Sequence, residues 1–261
     1  MTAPDTASSA RPGSGRARTA RERARSELTR EIKEEARRQL ADAGANGLSL
    51  RAVARELGMV SSALYRYYPS RDELLTALII DAYDAIGGAA ERAADAPAPS
   101  ARDRWVAACH AIRDWARSHP HEYALIYGSP VPGYQAPEAT IGPASRVPIA
   151  FTGLLARAAA NGELSLPPAG APGPPLDDGL AAQAASLTAA LGLREVPPDA
   201  LVSAVVAWTQ LFGMISFELF GQFVGSFEPA DALFARAVVQ LAALAGLSEA
   251  RTHDREDLLS P

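Results

Sequence analysis

The stretch that decides the fold runs from residue 49 to residue 71 and reads SLRAVARELGMVSSALYRYYPSR. Two short helical patterns meet at Gly58, and glycine accepts the left-handed backbone of a helix C-cap at low cost. Two short helices joined by a tight glycine-containing turn form a helix-turn-helix. The apolar spacing predicts burial of Leu50, Val53, Ala54 and Leu57 in the first helix and of Leu64 and Tyr68 in the second.

The outward face of the second helix carries hydroxyl, phenol and guanidinium groups, which suit a DNA groove. Arg66 is the strongest candidate for base readout, because its fork can bind guanine through two hydrogen bonds. A phosphate contact is the alternative for Arg66. Phenol groups are expected to position the protein on DNA rather than to read its base sequence, so Tyr65 and Tyr67 are expected to contact phosphates. The candidates for base edges are Ser61, Ser62, Ala63 and Arg66.

These residues resemble the DNA-binding domain of the TetR family of transcriptional regulators (TetR/AcrR type). The resemblance covers roughly residues 20–85. It implies an all-α chain, with an N-terminal three-helix helix-turn-helix domain and a larger C-terminal helical domain for ligand binding and dimerisation. The phrases that carry it are Leu48-Ser49-Leu50-Arg51, Val53-Ala54, Gly58, Leu64-Tyr65 and Tyr67-Tyr68-Pro69-Ser70-Arg71, followed by Asp72-Glu73-Leu74-Leu75.

The start of the recognition helix departs from the family pattern. The family often has Ser or Thr two residues after the turn glycine, whereas this chain has Val60. We therefore expect Ser61 to cap the helix instead. The helix is predicted to cover residues 61–68 and to end at Pro69.

Further DNA contacts follow from the resemblance. Ser49 is the expected N-cap of the first helix, and the family places a phosphate at this hydroxyl. The resemblance also implies contacts by Arg51 and Arg71. Arg71 stands in the first turn of the next helix, where a cation opposes the helix dipole, so a compensating partner is expected. Ser70 and Glu73 before that helix form an S-x-x-E capping box.

Charge is distributed unevenly along the chain. The net charge is −5, yet residues 1–75 carry 14 Lys and Arg against 10 Asp and Glu. A basic head on an acidic body places the attractive potential where the helix-turn-helix lies. Solvated surface without a function is the alternative. Residues 1–20 lack large aliphatic side chains and are predicted to form a disordered basic arm, which either follows DNA or is a plain tail.

The remaining chain predicts helices separated by proline and glycine. We expect the DNA-binding domain at 21–85, the ligand-binding and dimerisation domain at 86–247 and a polar tail at 248–261. The Pro- and Gly-rich segment 163–179 is predicted to be flexible. A helix shared by both domains would act as a lever. Predicted helices cover about 21–43, 71–94, 101–118, 123–127, 143–161, 197–220 and 229–245.

The last two predicted helices are apolar on more than one face. Such helices must be buried on more than one side, so a second copy of the chain is the expected partner. Aromatic residues of the predicted ligand-binding domain are compatible either with an ordinary core or with a cavity for a small-molecule effector. The resemblance favours the cavity. The candidate ligand residues are Trp105, Trp115, Tyr123, Tyr127, Phe151, Trp208 and Phe212.

Enzyme, metal and cofactor signatures are not expected. His119 and His121 are one residue apart but lack further ligands, so we predict a histidine-rich helix end. Cys109 and His110 are adjacent, and neighbouring helical side chains diverge too far for a catalytic dyad. As the single cysteine, Cys109 cannot form an intramolecular disulfide, which fits a reducing cytosol.

Membrane and secretion signals are not expected either, since no apolar run is long enough to span a bilayer. The sequence thus predicts a cytoplasmic, homodimeric, sequence-specific DNA-binding regulator, a repressor released from a palindromic operator by a small molecule. One alternative is a helical interaction protein that keeps the fold without binding DNA. A small enzyme using the aromatic cavity is another, but no acid–base or nucleophile constellation supports it.

Overall fold

The computed structural model describes residues 14–165 and 175–247, with side chains from residue 19 onward. The all-α fold is confirmed, and within these residues a single bridge between Leu164 and Leu247 is the one β-type pairing. A short 3₁₀ helix, Glu138–Thr140, precedes α7. The ten α-helices of this part are α1 Ser14–Gly47, α2 Leu50–Glu56, α3 Ser61–Leu64, α4 Arg71–Asp95, α5 Ala101–Ser118, α6 Pro120–Tyr127, α7 Ile141–Ala160, α8 Asp178–Ala190, α9 Pro198–Leu219 and α10 Asp231–Leu244.

The chain divides into two compact units between Leu78 and Ile79. This division falls earlier than the predicted boundary after residue 85, because the residues between belong to the second core. Ile86 is fully buried there, and the Tyr83 hydroxyl donates a hydrogen bond to the Ile126 carbonyl at 3.3 Å. The helix α4 therefore begins in the first unit and continues in the second.

The first unit is a small helical core built around α2. The predicted inner faces of both short helices are buried, apart from Leu57, which is half-buried at the C-cap of α2. The start of α4 closes the core with leucines. Its buried residues are Ile32, Ala36, Leu40, Leu48, Leu50, Val53, Ala54, Leu64, Tyr68, Leu74, Leu75 and Leu78.

The helix α1 is longer than predicted. It begins at Ser14 rather than at residue 21, so residues 14–20 of the predicted disordered arm are helical. Alanine, arginine and glutamate are strong helix formers, and a helix can continue beyond the core that it helps to build. Burial along α1 begins late, since Ala24 is exposed and full burial starts at Ile32. Residues 1–13 of the predicted arm lie outside the described residues.

The second unit is organised around α9, which packs against α5, α7, α8 and α10. Sequence reasoning missed α8, whose signals are an alanine-rich composition and the N-cap Asp177, which accepts the Leu180 N–H at 2.8 Å. Much of the predicted flexible segment, residues 166–174, and the predicted tail lie outside the described residues. Among the described helices α9 alone has the length and apolar composition of a membrane span, which the buried core helix of a soluble protein also shows.

A buried arginine joins three helices of the second unit. Arg113 of α5 is 3% exposed and donates two hydrogen bonds to Glu218 of α9, at 2.7 and 2.6 Å. Its Nη1 lies 2.9 Å from the carboxylate of Asp231 in α10. The guanidinium also stacks over the Phe234 ring, 4.6 Å from the centroid. The hydrogen bond from Arg113 lowers the pKa of Asp231 and thus favours its charged form.

Candidate nucleic-acid interface

The start of α2 is held by its predicted cap. The Ser49 hydroxyl accepts the N–H of Ala52 at 3.4 Å, which confirms the capping role. The backbone N–H of Ser49 donates to the side-chain carbonyl of Gln39 in α1 at 3.2 Å. These two contacts satisfy donors that a helix start would otherwise leave without partners, and they join α2 to α1.

The turn after α2 has the predicted glycine geometry. Gly58 has a φ of +64°, the left-handed region that residues with a Cβ rarely adopt. The N–H of Met59 donates to the Ala54 carbonyl at 2.8 Å and so satisfies an acceptor at the helix end. The direction of the chain entering α3 therefore depends on Gly58.

The recognition helix is shorter than predicted, and its predicted cap is wrong. Helix α3 covers a single turn, Ser61–Leu64, whereas residues 65–67 form a turn in place of the predicted helix through residue 68. Val60 occupies the N-cap position and offers no side-chain acceptor, so Ser61 is the first helical residue rather than the cap. Two of the later hydrogen bonds span three residues, Arg66 N–H to Ala63 O at 3.2 Å and Tyr67 N–H to Leu64 O at 2.8 Å.

The α3 segment, residues 61–68, has two buried side chains on one side and an exposed strip on the other. Leu64 is fully buried and Tyr68 is 8% exposed, so these side chains hold the segment on the core. Ala63 and Tyr67 are half-buried beside them. The exposed strip consists of Ser61, Ser62, Tyr65 and Arg66.

Arg71 has a partner that sequence reasoning did not identify. Its Nη2 donates to the Ala45 carbonyl at 2.7 Å and its Nε to the Leu48 carbonyl at 3.3 Å. Its Nη1 lies 3.3 Å from the carboxylate of Asp72. These acceptors lie at and just after the end of α1, and they supply the compensation expected for a cation in the first turn of α4. A phosphate contact by Arg71 stays a prediction.

Each of the two short helices of the helix-turn-helix carries or leads into an arginine without an ion-pair partner. Within the described residues, Arg51 and Arg66 are exposed and form no ion pair, whereas Arg55 pairs with Glu56 at 3.4 Å. Arg25 of α1 places its guanidinium 5.4 Å from the centroid of the Tyr67 ring, a cation–π distance. Arg51 and Arg66 can therefore approach phosphates or bases without first breaking an ion pair.

The structure brings four of the seven candidate ligand residues into one aromatic cluster. The ring of Phe212 lies 4.4 Å from Tyr127, 5.7 Å from Trp208 and 6.4 Å from Tyr123 between centroids. We call Tyr123, Tyr127, Trp208 and Phe212 the aromatic cluster.

The other three candidates lie in separate contacts. Trp105 and Phe151 form a pair at 4.5 Å between centroids, and Trp115 stacks on His119 at 5.1 Å. The Nδ1 atom of His119 lies 3.0 Å from the Trp115 carbonyl, so this histidine can hydrogen-bond a backbone carbonyl in the last turn of α5.

Two indole donors remain without acceptors in this unit. The Nε1 atoms of Trp105 and Trp208 are buried and form no hydrogen bond within the described residues. The Tyr123 hydroxyl donates to the Phe212 carbonyl at 3.1 Å. Burial raises the pKa of Tyr123 to about 12 and also raises that of Tyr127, so both phenols stay protonated at neutral pH. Within the described residues the cluster therefore carries no charge, and it holds one buried donor without an acceptor, the indole N–H of Trp208.

The lone thiol is unsuited to nucleophilic chemistry. Cys109 is fully buried, and burial raises its pKa well above its ordinary value. The thiolate is the reactive form, so this side chain behaves as a small apolar residue of the core.

Two family models match the chain. One is described as "Bacterial regulatory proteins, tetR family" and covers residues 32–78. The other is described as "Tetracyclin repressor-like, C-terminal domain" and covers residues 105–241. The first range contains the helix-turn-helix and the second contains the aromatic cluster.

Relatives and solved structures agree with both matches. The HTH-type transcriptional regulators Rv1816 of Mycobacterium tuberculosis and Mb1846 of Mycobacterium bovis are each 44% identical over 204 residues, 77% of this chain and 84% of theirs. The crystal structure of SCO4313, a candidate regulatory protein, is 35% identical with a TM-score of 0.66 and covers 85% of this chain and 98% of its own. A Rhodococcus protein of unknown function is 25% identical with a TM-score of 0.62, covering 84% and 95%.

Replacing Arg71 with glutamine is expected to destabilise the first unit. The change removes a charged donor from two backbone carbonyls, and hydrogen bonds to charged groups contribute about 1.5–3 kcal/mol. Urea unfolding followed by circular dichroism measures the loss. Arg51→Gln is the matched control and should stay within about 0.5 kcal/mol, because Arg51 is exposed and unpaired. Equal stability of both variants would contradict a structural role for Arg71.

Proposed function

The chain belongs to the TetR family of DNA-binding transcriptional regulators, and on that premise we propose that it is a homodimeric repressor that a small-molecule effector releases from a palindromic operator. The chain is a DNA-binding regulator of transcription rather than an enzyme, and its relatives are named HTH-type transcriptional regulators. Its site of action would be the cytosol, where the operator is accessible.

One observation carries the DNA-binding part of the proposal: the exposed strip of the α3 segment is backed by buried Leu64 and Tyr68. This arrangement presents hydroxyl groups and one unpaired guanidinium at a fixed position. Because α3 has a single turn, few side chains can reach base edges. We assign base readout to Arg66 and to Ser61, Ser62 and Ala63 before it.

Phosphate contacts would come from the residues around this strip. The Ser49 hydroxyl accepts from Ala52, which leaves its own proton available for a phosphate oxygen. The hydroxyls of Tyr65 and Tyr67 and the guanidinium of Arg51 would add contacts that position the subunit without reading sequence. In this arrangement Arg71 contributes mainly by holding α1 and α4 together.

A second copy would pack on the outward face of α9. Val206, Gly213 and Phe217 are exposed, and the spacing of seven and four residues puts them on one side of the helix. Apart from its chain neighbours and the backbone of its own helix, no atom of the described residues lies within 4 Å of the Cβ position at Gly213, so a second helix could approach closely there. A dimer would present two α3 segments to half-sites about 34 Å apart.

The effector would bind at the aromatic cluster. Stacked and tilted rings favour an apolar or aromatic ligand, and the buried indole N–H of Trp208 requires an acceptor. The four members of the cluster carry no formal charge while the phenols are protonated. We therefore assign the effector to neutral, aromatic compounds that carry a carbonyl or ether oxygen.

Release from DNA would follow from a shift in population. An effector that binds one conformation better by 1–3 kcal/mol changes DNA affinity by a factor of about 5 to 150. The helix α4 is continuous from Arg71 to Asp95 and so has residues in both units. It is the element through which we expect the effector to act on DNA affinity.

Arg66→Ala is expected to weaken specific DNA binding strongly. Each lost bidentate contact costs about 1–3 kcal/mol, which is roughly 5- to 150-fold, and a dimer loses one such contact in each half-site. The measurement is fluorescence anisotropy on a duplex selected by the wild type from a random pool. Arg55→Ala is the control, since Arg55 is paired with Glu56. A wild-type protein that selects no duplex, even at low salt, would contradict the proposal.

Val206→Glu is expected to yield a monomer by light scattering. Losing the second half-site should weaken palindrome binding about a hundredfold or more, since the two sites no longer bind as one. Ile149→Glu in α7 is the control because it places the same charge at an exposed apolar position. A Val206→Glu protein that remains dimeric would rule out this face as the interface.

Trp208→Phe tests the effector assignment. Neutral aromatic compounds are screened for release of the selected duplex from the wild type, and the active ones are then measured on the variant. The effective concentration should rise up to about tenfold, because one hydrogen bond contributes about 0.5–1.5 kcal/mol. Trp115→Phe should leave it unchanged, since Trp115 stacks on His119 outside the cluster. Equal effects in both variants would argue against the site.

A further inference from the structure

The first turns of α1 project beyond the core of their unit. Every residue from Thr19 to Glu27 is exposed, and the first fully buried position is Ile32. A helical stretch without a buried face also gains little stability from packing. Because all its residues are exposed, this part of α1, residues 19–27, has a surface available for a partner, and we call it the α1 extension.

The charges of the α1 extension differ from those of the rest of α1. Within the described residues, no carboxylate forms an ion pair with Arg21, Arg23 or Arg25. The next arginine, Arg30, is paired with both Glu27 and Glu34. Cations that already have a carboxylate partner are poor ligands for an anion. The change from unpaired to paired arginines thus occurs close to the point where α1 joins the core.

Helical phase places two of the three unpaired arginines on the core side. Arg21 and Arg25 are four residues apart and lie on one face, in register with Leu28 and Ile32, which turn toward the core. Arg23 points about 160–200° away from them, because each residue advances a helix by about 100°. The extension therefore has one basic face on the side of the helix-turn-helix and one arginine on the opposite face.

A contact between Arg25 and Tyr67 shows where this basic face lies relative to the α3 segment. The guanidinium of Arg25 stands over the ring of Tyr67, which follows Arg66 in the exposed α3 segment. Arg21 lies about 6 Å further along the axis of α1, at four residues of 1.5 Å each. The Arg25 guanidinium is thus beside the surface to which DNA binding is assigned, and Arg21 follows it on the same face of α1. The fork geometry of a guanidinium matches a phosphate.

We propose that the α1 extension is a second DNA-contacting element, in which Arg21 and Arg25 bind backbone phosphates beside the half-site read by the α3 segment. The inference rests on the proposed function and adds to it a longer footprint with more phosphate contacts. Phosphates carry no sequence information, so these contacts increase affinity and leave the choice of operator to the α3 segment.

The test compares three full-length variants on the duplex selected by the wild type. The double variant Arg21→Gln/Arg25→Gln removes the basic face, and Arg23→Gln removes the same kind of charge from the opposite face. Glutamine preserves helix propensity, and circular dichroism verifies that the variants fold. Arg66→Ala serves as the reference for lost base readout. Affinities are measured from about 50 to 200 mM salt, on the operator and on single-base variants of it.

The double variant should bind at least about tenfold more weakly, with a salt slope smaller by about one for each lost phosphate contact. Its ranking of operator variants should match that of the wild type, whereas an effect transmitted through Tyr67 into the α3 segment would alter the ranking and overturn the inference. Arg23→Gln should change affinity and slope little. An equal loss in Arg23→Gln would show general charge attraction and would also overturn it.

The two proposals fail in different ways. If Arg66→Ala abolishes specific binding while the double variant behaves like the wild type, the second element is refuted and the proposed function stands. If the wild type itself selects no duplex, both are refuted.

Discussion

The α3 segment depends on its neighbours for its shape, because α3 is a single turn of helix. One turn cannot maintain its own shape in water, because nucleation costs more than a few hydrogen bonds return. Its order must come from outside, and two buried side chains, Leu64 and Tyr68, provide it. Gly58 sets the direction of entry through its left-handed backbone. The exposed strip can be rigid enough to read DNA because these neighbours, rather than the helix, hold it in place.

The small size of the first unit explains why several of its polar residues have structural roles. Ser49 caps α2 while its backbone binds Gln39, and Arg71 binds carbonyls at and just after the end of α1. Such a small core has few apolar contacts with which to fix the angles between short helices. Hydrogen bonds with defined directions supply the missing constraints. The arginines that remain unpaired, such as Arg66, are therefore the ones that can bind an external anion.

The second unit meets a different constraint, since its central helix is apolar on several sides. The buried Arg113 fixes α5, α9 and α10 through two carboxylates and the Phe234 ring. Removing one partner of a buried ion pair commonly costs about 3–5 kcal/mol, whereas a fully apolar replacement is often neutral. The directions of these contacts constrain how α5, α9 and α10 pack against one another. This packing leaves α9 a defined outward face.

Sequence alone determined the class of the fold, the positions of nearly all helices and the location of the helix-turn-helix, because apolar spacing, caps and glycines are local signals. It also identified Ser49 as a cap. Tertiary structure decided the length of α3, the backbone partners of Arg71 and the division at Leu78, since each depends on residues distant in the chain. Helix α8 was missed because its burial pattern is weak: its apolar residues are mostly small and exposed. The stacking of Arg25 on Tyr67 joins residues that are far apart in sequence, and only the packing of α1 against the core brings them together.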